Sequence, residues 1–250
     1  MTTPSSSALA VEVLGAEATL AKSHEVESQM RLQGNAAFWF AHLYARITRG
    51  EIEGRGDFTA AGAPFVMNFI PIFYDLYVQN IQHFQRHDHK LCPDWTMHFA
   101  RGAMIPVRPD IKAAILGLVE LGGAQNPLLR WLRGVTFVVT TGVSAHIRCD
   151  MPIALETAYR DYTHRYRDAP AFADLHQDLI ERGGTIFSQV RKSFLDDLIN
   201  RSVGMRVLSA ESLASLQELA GVGLPSDQIL EWRQTAWDIA AQRLKVPADR

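Results

Sequence analysis

Apolar residues along this chain recur at steps of three and four, the repeat that lines up one face of an α-helix. In the clearest run Leu132, Val135, Val139, Gly142, Val143, His146, Asp150 and Ile153 share one stripe, which the polar Thr157 closes. Earlier, Ala36, Phe40, Leu43 and Ile47 fall on one face with His42 beside them, which predicts a core helix. A further helix is predicted over 65–87, with Phe69, Ile72, Phe73, Leu76, Asn80, Phe84 and His87 in its stripe and Pro71 as a kink or a first turn. No stretch alternates cleanly enough to predict a strand, and only the valine-rich 135–143 is open between helix and strand.

Punctuation divides the rest. Gly34 and Asn35 break the helical texture that starts at Leu9, and glycines 50, 54, 56 and 62 with Pro64 predict a loop. Asp110 is a good N-cap for a helix over 111–121, ended by Gly122 and Gly123. Pro127 then helps open a long helical segment, 128–166, in which Pro152 leaves the carbonyl of Arg148 without its helical donor. Helices over 172–182 and 185–206 are separated by a stop at Gly183 and Gly184, and Ser209 and Ser226 cap two more. Residues 1–8 read as a disordered leader and 9–250 as one helical domain. The expected fold is all-α, a single-domain multi-helix bundle.

Composition narrows the function. With 250 residues, 47% hydrophobic, 21% charged and a net charge of −2, the chain lacks the basic excess of a nucleic-acid binder. Its most apolar run, 60–78, is interrupted by Pro64, Asn68, Pro71 and Asp75, which argues against a membrane span. No secretory signal opens the chain, and Cys92 and Cys149 form neither a Cys-x-x-Cys pair nor a disulfide framework, so a cytoplasmic location is expected. Nothing in the pattern speaks to oligomeric state.

The chemistry concentrates at His146 and Asp150, an i, i+4 pair on the apolar face of the long helix. A buried carboxylate is costly unless it is paired or bound to a cation. Three readings are open: metal ligation; an acid–base dyad in which Asp150 orients His146; or a scaffold in which Asp150 holds an Arg or a Tyr hydroxyl of a neighbouring helix and His146 donates to a carbonyl. The segment 86–99 carries three more histidines and two aspartates; His83 and His87 are again i, i+4, and His98 lies beyond the loop. His87, His98, His146 and Asp150 make a feasible shell for zinc or iron, with His42 in reserve and His24, His164 and His176 read as surface. Asp196-Asp197-Leu198-Ile199-Asn200 resembles the aspartate-rich helix of terpene synthases, but their second motif is missing, and exposed carboxylates are the plainer reading. Nucleotide-binding glycine loops, the serine-hydrolase elbow, His-Glu-x-x-His and Glu-x-x-His are all absent from the sequence.

The string from Gly142 to Leu155, Gly-Val-Ser-Ala-His-Ile-Arg-Cys-Asp-Met-Pro-Ile-Ala-Leu, resembles the Gly-x-Asn-Ala-His-Ile-x-x-Asp-Leu-Pro signature of a bacterial helical family without an assigned function. The likeness extends through 40–48, 73–77, Trp95 and Asp178, with Ser144 in place of the family's Asn. It implies a helical fold and a role for His146 and Asp150. A remoter likeness is to the zinc-dependent phospholipase C and nuclease superfamily, whose ligand helices carry His-x-x-x-Asp. Here Glu156 stands where those enzymes place a further His.

The expected function is therefore a metal-dependent enzyme, a hydrolase that activates water in a helical bundle, acting on a small apolar molecule between Trp39, Phe73, Tyr77 and Trp95. The alternatives are a metal-free cyclase or isomerase of secondary metabolism with His146 and Asp150 as an acid–base dyad, and a non-catalytic structural or interaction protein.

Overall fold

Gly34, at φ 69°, turns the chain between helix α1 (Ser6–Leu32) and helix α2 (Phe38–Glu53), a left-handed conformation that glycine adopts without strain. The computed structural model describes residues 6–88, 90–109, 127–203 and 226–246. Helix α3 (Gly62–Gln85) and helix α4 (Pro93–Met104) follow, then α5 (Pro127–Ala145), a π turn (His146–Asp150) and α6 (Met151–Arg165) as one continuous rod. A short 3-10 turn (Phe172–Leu175) and a second π turn (Gln177–Arg182) lead into α7 (Gly183–Val203), and α8 (Ser226–Leu244) closes the described chain. The described residues form an all-α bundle without strands, and no described helix is long and apolar enough to cross a membrane.

Packing follows the apolar faces. Helix α1 lies on α2 and α3, α4 on α5, α6 on α3 and α8, and α2 on α7. The segment 135–143 is helix, because its valines 135, 138, 139 and 143 all face the core from α5. In α3 the most buried row is Val66, Ile70, Tyr74 and Tyr77, a small roll from the expected stripe that leaves Phe73 and Asn80 at its margin. Pro71 lies inside α3 without ending it.

Four local expectations need correction. The loop expected at Gly50 begins later, since α2 continues to Glu53 and a 3-10 turn (Gly54–Asp57) follows. Gly183 and Gly184 do not stop a helix; the second π turn runs through them into α7, and both serve close approach, to the Arg233 guanidinium and to the Leu230 side chain of α8. Helix α1 starts at Ser6, inside the stretch read as a leader. Ile153, expected in the core, is 41% exposed, while Ala154, Ala158 and Tyr162 are buried. A π turn adds one residue per turn, so the stripe beyond it advances by one position. The helix expected over 111–121 and the cap at Ser209 lie outside the described residues.

The second π turn is tied to the start of α3. Asp178, buried within it, accepts from the Thr59 N–H at 3.0 Å and the Thr59 hydroxyl at 2.6 Å, and Thr59 Oγ1 accepts from the Gly62 N–H at 2.9 Å. A Cβ on Gly62 would overlap the Asp178 carboxylate. Gly62→Ala should therefore destabilise the fold by about 2–3 kcal/mol, through overpacking and disturbed hydrogen bonds to a buried anion. The check is a lower urea midpoint at an unchanged slope.

Candidate functional site

The rod formed by α5, the π turn and α6 carries its polar residues where its backbone departs from α geometry. Pro152 has no N–H to give the Arg148 carbonyl, and the neighbouring Met151 N–H reaches back five residues to the His146 carbonyl. This turn holds His146 and Asp150, each 4% exposed. His146 Nδ1–H donates to Asp150 Oδ2 at 2.9 Å. The same carboxylate accepts Trp95 Nε1–H from α4 at 3.0 Å and the Asn80 side-chain amide from α3 at 3.0 and 3.1 Å. Three N–H donors from three elements thus satisfy one buried anion.

These bonds assign the His146 tautomer, since a carboxylate accepts only: Nδ1 carries the proton and Nε2 keeps its lone pair. Nε2 is buried without a hydrogen-bond partner. The ring stacks on Phe73, with centroids 3.5 Å apart and planes within 8°, and meets Tyr44 edge-on at 5.1 Å and Trp95 at 5.9 Å. Burial holds the His146 imidazole below its ordinary pKa, and Asp150 opposes that shift in part. The side chain is a neutral base with one nitrogen anchored.

His146 lines a cavity of about 40 Å³, walled by Leu43, Tyr44, Val143, Ile147 and Phe187, with Arg233 on its border. Arg233 is 8% exposed and occupies an apolar row of α8 with Ile229, Ala236 and Ala240. Its Nη2 donates to the Leu179 carbonyl, while its Nε–H is buried without a partner.

No family model, curated protein or solved structure matches the chain. The likeness of the Gly142–Leu155 string to a helical family thus rests on its motif, and the site is read from geometry.

The four residues expected as a metal shell are not gathered. His146 and Asp150 bond to each other. His98 is fully buried on α4, gives Nδ1–H to the Val138 carbonyl at 2.8 Å and does not line the cavity. His87 is exposed in the turn after α3, at φ 55°. Among the described residues no group of three or more His, Cys, Asp or Glu is placed to share a metal ion. His83 pairs with Asp88 at 2.8 Å and the reserve His42 with Glu27 at 2.8 Å. His24 and His164 are exposed or nearly so, whereas His176 is half-buried, bonded to Gln234 at 2.8 Å. Asp197 accepts from Arg46 at 2.5 Å, so that carboxylate is engaged in an ion pair. Of the expected aromatic walls, Phe73, Tyr77 and Trp95 surround His146, but Trp39 sits apart, donating to the Val107 carbonyl at 3.0 Å.

Sequence reasoning missed three features. Asn80 was placed on the core face without a role. Arg233 interrupts an apolar row just as His146 does, so the same stripe test would have found it. Cys92 and Cys149, 57 residues apart, form a disulfide, which corrects the expectation that they make no disulfide framework. The bond joins the residue before α4 to the π turn, alongside Asp94, which accepts from Ser144 Oγ at 2.8 Å and from Arg148 at 3.4 Å.

Two outcomes follow from this geometry. Reducing the disulfide, or replacing both cysteines by Ser, should lower stability by up to about 4 kcal/mol through the entropy of the freed loop, read as a fall in the urea midpoint. Burial lowers the His98 pKa from 6.5 to about 4, with the Val138 carbonyl opposing. Between those values the unfolded chain binds a proton that the folded chain does not, so stability is full above pH 6.5 and falls towards pH 4. The loss is on the order of 3 kcal/mol. Urea titrations across this range check it, and His98→Gln, which keeps a donor for Val138, should flatten the slope.

Proposed function

We propose that this chain is an enzyme that moves a proton on a small molecule, with His146 as general base and then general acid, and Asp150 as the positioning residue. One observation carries the reading: His146 Nδ1–H is fixed on Asp150 while Nε2 is buried without a partner, on a residue that lines a cavity. An anchored imidazole has its lone pair aimed before substrate arrives, and the carboxylate stabilises the imidazolium that forms. The proton on Nε2 is then returned to the substrate, at a second atom for an isomerisation. Apolar walls exclude water from the exchange. The near-zero net charge lacks the basic excess that a nucleic-acid partner calls for.

A metal-dependent hydrolase would draw on the same atom, because metal-bound imidazoles are commonly oriented by a carboxylate on the other nitrogen. Among the described residues the cavity offers no second His, Cys, Asp or Glu, which ranks the acid–base reading first. The Cys92–Cys149 bond favours an oxidising compartment over the cytoplasm.

The test is hydrogen–deuterium exchange at carbon, followed by proton NMR in D2O with a panel of short ketones, aldehydes and carboxylates. The wild type should exchange at least one of them, and His146→Ala, folded by circular dichroism, should be slower by about 10²–10⁴. Exchange that survives in His146→Ala, or none with any compound, overturns the reading. Stoichiometric zinc or iron in the wild type that disappears in His146→Ala overturns it in favour of the hydrolase.

A further inference from the structure

The least compensated charge in the described core is the Arg233 guanidinium. Among the described residues no carboxylate lies within 4.0 Å of it, and its one hydrogen bond is to a backbone carbonyl. The acidic influence on it is Glu51, whose carboxyl burial pushes up to about 7, so near neutrality it offsets the guanidinium only in part. A buried cation without a fixed counter-ion is costly. This one borders the cavity that His146 lines.

We propose that the cavity binds the carboxylate of a short aliphatic acid, held by Arg233, with a hydrogen-bearing atom of the acid facing His146 Nε2. The inference rests on the acid–base reading for its chemistry, although binding can be measured without it. Three observations select this class. A guanidinium presents planar N–H donors that match a carboxylate. The Nε2 lone pair repels an acceptor oxygen, so the atom opposite must carry hydrogen, as the alkyl carbon of a short acid does. The volume of about 40 Å³ holds roughly three water-sized centres, the size of acetate or propionate, and Leu43, Val143 and Phe187 suit an alkyl tail. In the reaction the Cα–H bond breaks, its proton goes to Nε2 and its electron pair forms the C=C of an enediolate beside Arg233. Return of the proton restores the acid, so no oxidant or co-substrate is needed.

The test titrates acetate, propionate and the neutral isostere acetamide into the full-length protein, read by calorimetry and by thermal unfolding. Acetate and propionate should bind saturably and raise the unfolding temperature, and acetamide should do neither. Arg233→Gln should weaken acetate binding about tenfold or more, with Arg233→Lys retaining part of it. If the Gln variant does not fold, the comparison of acetate with acetamide in the wild type still decides. Equal binding of acetamide, no binding of either acid, displacement of acetate by inorganic phosphate, or undiminished binding in folded Arg233→Gln overturns the proposal. Should acetate fail to bind while His146-dependent exchange on neutral ketones persists, only this inference falls; loss of both removes the acid–base reading as well.

Discussion

The Asp150 carboxylate is a buried anion surrounded by aromatic rings, and three N–H groups hold it there: His146 from its own π turn, Trp95 from α4 and Asn80 from α3. Each bond satisfies a group that would otherwise be stranded away from water, so the three elements can approach only in the arrangement that serves all of them. The disulfide from Cys92 to Cys149 fastens the same pair, α4 and the π turn, from the outside. Gly142 completes the fit, because a Cβ there would lie 2.7 Å from the Phe40 ring and 2.8 Å from His98 Nδ1. The polar centre and its packing are one constraint.

The same device occurs twice. Both π turns carry a buried aspartate, and each aspartate bonds to another element: Asp150 to α3 and α4, Asp178 to Thr59 just before α3. A π turn widens the helix by one residue and frees backbone groups, a cost that persists where the side chains it places make compensating bonds. Around the second turn, Gly62 leaves space for the carboxylate and Gly183 leaves space for the Arg233 guanidinium. Residues that look like helix breakers therefore act here as points of close approach.

Much of the bundle is legible in the chain because apolar periodicity depends on local helical geometry, and α2, α3 and the α5–α6 rod follow it closely. His146 and Asp150 stand out for the same reason, as polar groups on an apolar face. Periodicity fails where geometry changes: one added residue in the π turn moves Ile153 outward, and Gly183 and Gly184 read as a stop although helix continues through them. Partners distant in the chain are hidden altogether. Nothing local distinguishes Asn80 as a ligand of Asp150, or joins Cys92 to Cys149, because those contacts exist only once the helices are packed. The histidines of 86–99 misled for the complementary reason: closeness in sequence suggested one shell, yet the turn at His87 sends that imidazole to the surface while α4 carries His98 into the core.

Around the cavity the charges are ordered: the Asp150 anion, the neutral His146 ring, the cavity itself, then the Arg233 cation. In the proposed reaction, proton transfer to Nε2 would create a positive imidazolium bonded to Asp150 and leave negative charge on a substrate in the cavity that Arg233 borders, so each new charge would form near its opposite. Fixed groups arranged for charges that do not yet exist in the resting protein lower a barrier without reorganising during the reaction. The arrangement also accounts for the resting state. An imidazole already protonated would be stabilised by Asp150 but penalised by burial, and burial is the larger influence. Burial keeps the base neutral at rest, and in the proposed reaction an acid anion in the cavity would add to Asp150 in stabilising the imidazolium as it forms.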